Sequence, residues 1–96
     1  MAIQLCVLLW ARDRQEEALA DYEDAVLALL AEHDGRLLQR ARTLPGAAEG
    51  SPAEIQMIEF DGQTGYDGYM ADKRRLALAD QRDAAVARTE IYQVTI

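Results

Sequence analysis

The feature that most constrains this chain is the run Leu5-Cys6-Val7-Leu8-Leu9-Trp10, six apolar residues without a break. A strand wetted on one side alternates apolar and polar residues; one that does not alternate is covered on both faces. Residues 2–10 are rich in Leu, Ile and Val and stop at Arg12-Asp13, so they read as a strand in the middle of a sheet. Whatever the rest of the chain builds must place apolar cover above and below that strand.

The remaining segments supply cover for one side. Leu19, Tyr22, Val26, Leu29, Leu30 and His33 fall on one face at 3.6 residues per turn, which predicts a helix over residues 14–33. Asp13 with Glu16 is expected to cap its start, and Gly35 to take the left-handed position after its end. Residues 36–43 read as an edge strand with Arg36, Arg40 and Arg42 on one alternate face. Residues 44–52 hold both prolines and read as a loop. Residues 54–60, EIQMIEF, form a third strand with Ile58 and Phe60 on one face and Ile55, Met57 and Glu59 on the other. A helix is expected to about Leu78, a shorter one from about Asp80 to Arg88, and a fourth strand over 89–96.

The order β-α-β-β-α-β in 96 residues predicts a single α+β domain, 1–96, with the ferredoxin-like plait. Right-handed crossovers put both helices on one face of a four-stranded antiparallel sheet, with strands one and three central. The second face then has no cover from its own chain, and an apolar face of that size is an association site. The expected assembly is a homodimer with sheets face to face, a dimeric α/β barrel.

Charge and composition exclude several classes of function. Ten basic against seventeen acidic residues give −7, which opposes binding to nucleic acid or an anionic membrane. The apolar opening is about half the ~20 residues of a spanning helix and lacks a preceding basic region, so neither a membrane anchor nor a signal peptide is expected. One cysteine, Cys6, and one histidine, His33, build neither a disulfide framework nor a Cys/His metal site. A lone thiol fits a reducing cytoplasm. Gly62, Gly65 and Gly68 do not have dinucleotide-binding spacing, and Ser51 lacks a nucleophile-elbow setting. No cofactor and no metal are expected.

The segments GRLLQR, a Pro/Gly loop, EIQMIEF, YMADKRRLAL and AVARTEIYQV together resemble the domain of unknown function 1330 family, most closely from Pro52 to Val94. These are small bacterial proteins of the dimeric α/β-barrel superfamily. The resemblance implies a ferredoxin-like fold and a two-fold dimer, and no particular activity. Relatives across the superfamily include cofactor-free monooxygenases and isomerases. Gly65 and Gly68 depart from the family, where helix formers stand; either the helix starts late or backbone packs closely there.

Candidate chemistry gathers on few residues. His33 alone has a side chain that titrates near neutrality, and it is a candidate general base. Glu59 shares a strand face with Ile55 and Met57; a carboxylate there needs a partner, and Arg40 or Arg42 on the neighbouring strand is expected to supply it. Trp10, Tyr22, Tyr69 and Tyr92 suit a pocket for a flat apolar molecule, with Arg42 as a further ligand contact. Arg74, Arg75 and Arg82 either hold a carboxylate ligand or pair with nearby aspartates. The leading expectation is a homodimer that binds a small apolar or carboxylate-bearing organic molecule. The alternative is a cofactor-free monooxygenase or isomerase working in a cleft near Glu59, His33 and Tyr69.

Overall fold

The computed structural model describes residues 1–96. Its elements are β1 (Ile3–Ala11), α1 (Glu16–Leu27), a 3-10 turn (Leu30–His33), β2 (Gly35–Arg42), β3 (Glu54–Phe60), α2 (Gln63–Met70), α3 (Lys73–Leu76), α4 (Ala79–Ala85) and β4 (Val86–Val94). The sheet order is β2-β3-β1-β4 with every neighbour antiparallel, so β1 and β3 are central as expected. This is the ferredoxin-like plait. Leu5, Val7 and Leu9 of β1 and Ile58 and Phe60 of β3 point at the helices and are buried. They meet Leu19, Tyr22 and Val26 of α1 and Tyr69 of α2. The alternate residues Cys6, Leu8, Ile55 and Met57 lie on the sheet's other face, half-buried with no element over them.

Several local expectations are corrected. The first helix stops at Leu27 and gives way to the 3-10 turn. Asp13 does not cap it: Arg14 turns left-handed at φ 61°, and Gln15 stands at the N-cap without a side-chain bond. The left-handed residue at the other end is Asp34, at φ 57°, an aspartate being one of the few side chains that tolerate it. Gly35 is needed for space instead: a Cβ there would lie 2.6 Å from the Phe60 ring. Residues 86–88, expected as helix, are the start of β4, because α4 ends once Ala85 is buried and Val86 pairs with Ala11.

A β-bulge at Leu38 has the widest consequence. Leu37 pairs with Ile58 and Gln39 with Met57, so Leu38 is the extra residue and the strand changes faces across it. Arg36 therefore sits on the open face opposite Glu59, while Arg40 and Arg42 face the helix side opposite Gln56 and Glu54. The three arginines do not share a face.

Candidate functional site

Between the sheet and the helices lies a cavity of about 250 Å³. It exists because the second helical region breaks into three short pieces. α3 buries no side chain, and α4 buries only the small Ala85, so nothing large fills the volume above β1 and β4. The floor is Leu5, Val7, Leu9 and Ile58, continued by Val86 and Ile91 of β4. Tyr22, Glu23 and Val26 of α1 form one wall, and Tyr66, Tyr69 and Met70 of α2 another. Phe60 packs edge-on to Tyr66, ring centres 5.6 Å apart, and lies 5.7 Å from Tyr69, which fixes α2 over the sheet.

Glu23 and Gln56 of this cavity join Glu54 and Arg40 in one hydrogen-bonded wall. Gln56 Nε2 donates to Glu23 Oε1 at 2.8 Å and to Glu54 Oε2 at 2.6 Å. Arg40 holds Glu54 from outside with two donors, Nε at 2.8 Å and Nη2 at 3.2 Å, and Nη2 also reaches the Ala20 carbonyl. Glu54 is thus a buried carboxylate with a counter-charge bonded to both of its oxygens, the arrangement that makes such burial tolerable. Glu23 has no such partner. Burial pushes its carboxyl above the ordinary range, opposed by the hydrogen bond from Gln56. Burial also raises the Tyr22 hydroxyl, and takes Tyr69 up to about 12 against the lowering effect of Arg75. Chemically, the cavity offers an apolar slot with one proton-accepting carboxyl, two weakly acidic phenols and the guanidinium groups of Arg75 and Arg82.

Of the residues singled out in the sequence, Tyr22, Tyr69, Arg75 and Arg82 line this cavity. Trp10, His33, Arg42, Glu59, Arg74 and Tyr92 lie elsewhere. Glu59 is on the open face, bonded by Gln4 Nε2 at 2.9 Å and Arg36 Nε at 3.1 Å. Its partner is Arg36, not Arg40 or Arg42, because of the Leu38 bulge. Since the sheet separates Glu59 from Tyr69, a single cleft joining Glu59, His33 and Tyr69 does not form. His33 lies outside the cavity with its ring against Gly68 and edge-on to Tyr69; its Nε2 meets Asp72 Oδ2 at 2.7 Å. Hydrogen bonds from Arg74 and His33 hold the Asp72 carboxyl well below the usual carboxylate range. The result is a clasp between the 3-10 turn and the α2–α3 junction. Trp10 and Arg42 line a second, more open groove of about 640 Å³ beneath the 44–52 loop. There Trp10 Nε1 donates to the Gly50 carbonyl at 2.8 Å and Arg42 pairs with Glu17 at 2.9 Å. Tyr92 is on the open face, donating to Glu90.

Glu23 and Gln56, not singled out in the sequence, complete the polar lining of the cavity. Glu23 was visible as an acid on the apolar stripe of α1, between Leu19 and Val26. Gln56 was visible as a polar residue on the same strand face as Ile58 and Phe60. The helical break expected near Leu78 falls between Arg75 and Arg82, as α3 ends at Leu76 and α4 starts at Ala79.

Solved structures share this fold. The chain matches a dimeric protein of unknown function and ferredoxin-like fold from Bacteroides fragilis with a TM-score of 0.74 at 16% identity, over 99% of this chain and 96% of that one. It matches a dabb family protein with a ferredoxin-like fold from Mesorhizobium loti at 0.70 and 14%, over 99% and 96%. It matches SnoaB, a cofactor-independent oxygenase from Streptomyces nogalater, at 0.72 and 9%, over 99% and 92%. No family model matches the chain, and no curated protein matches it in sequence. The fold is therefore shared with dimeric α/β-barrel proteins, at identities too low to carry an activity across. No helix is long and apolar enough to cross a membrane.

Proposed function

We propose that this protein is a homodimer that binds a small, flat, largely apolar organic molecule in the cavity between its sheet and helices. The observation that carries the reading is the cavity itself. A chain of 96 residues has little interior to spare, yet leaves about 250 Å³ unfilled. That is just below the ~300–1,000 Å³ of common ligand pockets, which sets the ligand at the small end. The lining fits such a site too: mostly apolar, with a few converging polar groups. Self-association is supported by the open sheet face, where Cys6, Leu8, Ile55 and Met57 present apolar surface, and by the dimeric relative from Bacteroides fragilis. The free thiol of Cys6 on that face supports a cytoplasmic setting. Kinship with the domain of unknown function 1330 family belongs to the same proposal, resting on the segments between Pro52 and Val94.

The test is a titration with 2-naphthol followed by amide NMR, alongside sedimentation of the free protein. Saturable shifts centred on Val7, Ile58 and Tyr69 are expected, and they are lost in Val7→Phe, which fills the floor. Shifts scattered over the surface, or unchanged by Val7→Phe, would sink the binding reading. Sedimentation is expected to give a particle of twice 10.7 kDa; a particle of 10.7 kDa at micromolar concentration would sink the dimer.

Catalysis without a cofactor is the second reading, and Glu23 is the observation that favours it. A carboxyl raised by burial, facing an apolar slot, is placed to take a proton from carbon next to a carbonyl of a bound molecule and return it to another carbon. The net change is an isomerisation, with no co-reactant. An oxygenase of the SnoaB kind would draw dioxygen as the second substrate. Loss of turnover in Glu23→Gln with ligand binding intact is the expected result for either.

A further inference from the structure

We propose that Arg75, with Arg82 on the same cavity, is an anion anchor, so that the ligand is a carboxylic acid carried on a flat apolar body. This deepens the binding reading above and rests on it. Arg75 lines the cavity, and its Nε is buried with no hydrogen-bond partner, the one buried side-chain polar atom in the chain left unsatisfied. Unsatisfied buried donors are rare and mark places where a partner belongs. Arg36, Arg40, Arg42, Arg74 and Arg88 each have a carboxylate partner. Arg12, Arg14, Arg75 and Arg82 have none, and of these four Arg75 and Arg82 line the cavity. In a chain with seven more acidic than basic residues, carboxylates are the abundant partner, yet none reaches this pair.

Arg75 is also held in place. Its guanidinium lies over the Tyr69 ring, 5.2 Å from the centroid, which holds the group against α2 while Nε stays unpaired. A guanidinium fixed this way presents paired N–H groups that match a carboxylate. The apolar floor then takes the body of the ligand. Glu23 also lines the cavity, its carboxyl held by the hydrogen bond from Gln56.

The experiment compares phenylacetate with its neutral isostere phenylacetamide by NMR titration on the wild-type protein, Arg75→Gln and Arg75→Lys. The wild type is expected to bind the acid on the order of tenfold more tightly than the amide. Arg75→Gln removes that preference while the amide still gives saturable shifts at Val7 and Ile58, which shows the cavity intact; Arg75→Lys keeps part of the preference because it keeps charge but loses the fork. A preference that persists in Arg75→Gln overturns the anchor. Amide and acid binding equally to the wild type also overturns it, while leaving the cavity reading standing. Failure of both probes to bind overturns the cavity reading and the anchor with it.

Discussion

Replacing Gly65 with alanine is expected to destabilise the protein, although the same change in an ordinary helix stabilises it. Gly65 lies within α2, where alanine is favoured over glycine by about 1 kcal/mol. A Cβ there would stand 2.2 Å from the His33 carbonyl oxygen. Carbon and oxygen in ordinary close contact are ~3.3 Å apart, so α2 and the 3-10 turn must separate by roughly 1 Å. The carbonyl is backbone and has no rotamer to yield with. Separation also loosens the His33–Asp72 bond and the packing of Tyr66 and Tyr69 on Phe60. Overpacking of this kind costs ~1–3 kcal/mol, and a contact with fixed backbone belongs at the upper end. The net loss is about 2 kcal/mol after the helical gain is subtracted. With a urea dependence of roughly 1 kcal/mol per molar, the unfolding midpoint falls by about 2 M. Gly68→Ala is the control: its Cβ meets the His33 ring Nδ1 at 3.0 Å, a side chain able to tilt, so its stability stays within ~1 kcal/mol of wild type. Gly65→Ala as stable as wild type, or the two variants shifting alike, would refute the close-packing account of α2.

Glu23→Gln is expected to flatten the pH dependence of stability. Its folded carboxyl is raised above the ordinary 4.5, so the stability linked to the neutral form is complete below that value and is lost as pH climbs through the raised one. Urea midpoints from pH 4 to 8 check this: the wild type declines across the range relative to Glu23→Gln, and parallel curves would refute it. Tyr69→Phe is expected to remove the phenol that ionises near 12, read as a lost late step in the ultraviolet titration. Asp72→Asn is expected to open the clasp on His33, seen as faster amide exchange from Tyr69 to Arg75 while the β1 amides keep their protection. Met57→Glu places an unpaired charge in the proposed dimer contact, at an effective cost of several kcal/mol, and is expected to yield monomers in sedimentation.

How much of this was legible in the sequence follows from where local physics decides the outcome. β1 and β3 were readable because apolar runs flanked by charged or Pro/Gly segments leave few alternatives, and β3 falls on residues 54–60 as read. Two strands with their partners' spacing then fix the topology through chain connectivity. What escaped was decided by tertiary contact. The Leu38 bulge has no glycine or other local mark, and it alone decides that Arg40 clamps Glu54 and Arg36 meets Glu59. Gly35 and Gly65 were legible as exceptions but not as answers, since both are glycine for want of room beside Phe60 and the His33 carbonyl. Tyr22 and Tyr69 were legible as stripe residues, and Arg75 and Arg82 as candidates to hold a carboxylate; which of the basic run turns inward was not, because Arg74 is drawn away by Glu32 and Asp72.

The alternation of β3 ties the two halves of the functional proposal to a single register. Glu54, Gln56, Ile58 and Phe60 face the helices, where Gln56 and Ile58 line the cavity; Ile55, Met57 and Glu59 face the side assigned to the partner. A slip of one residue would exchange the sets, putting two carboxyl-bonded polar side chains on the open face and two bare aliphatic ones against Glu23. Arg40 resists that slip, because its bidentate hold on Glu54 exists in one register only. The polar wall is then more than lining. It is what keeps the apolar residues of β3 on the face where a second copy is needed, so changes at even-numbered positions are expected to alter ligand binding and changes at odd-numbered ones assembly.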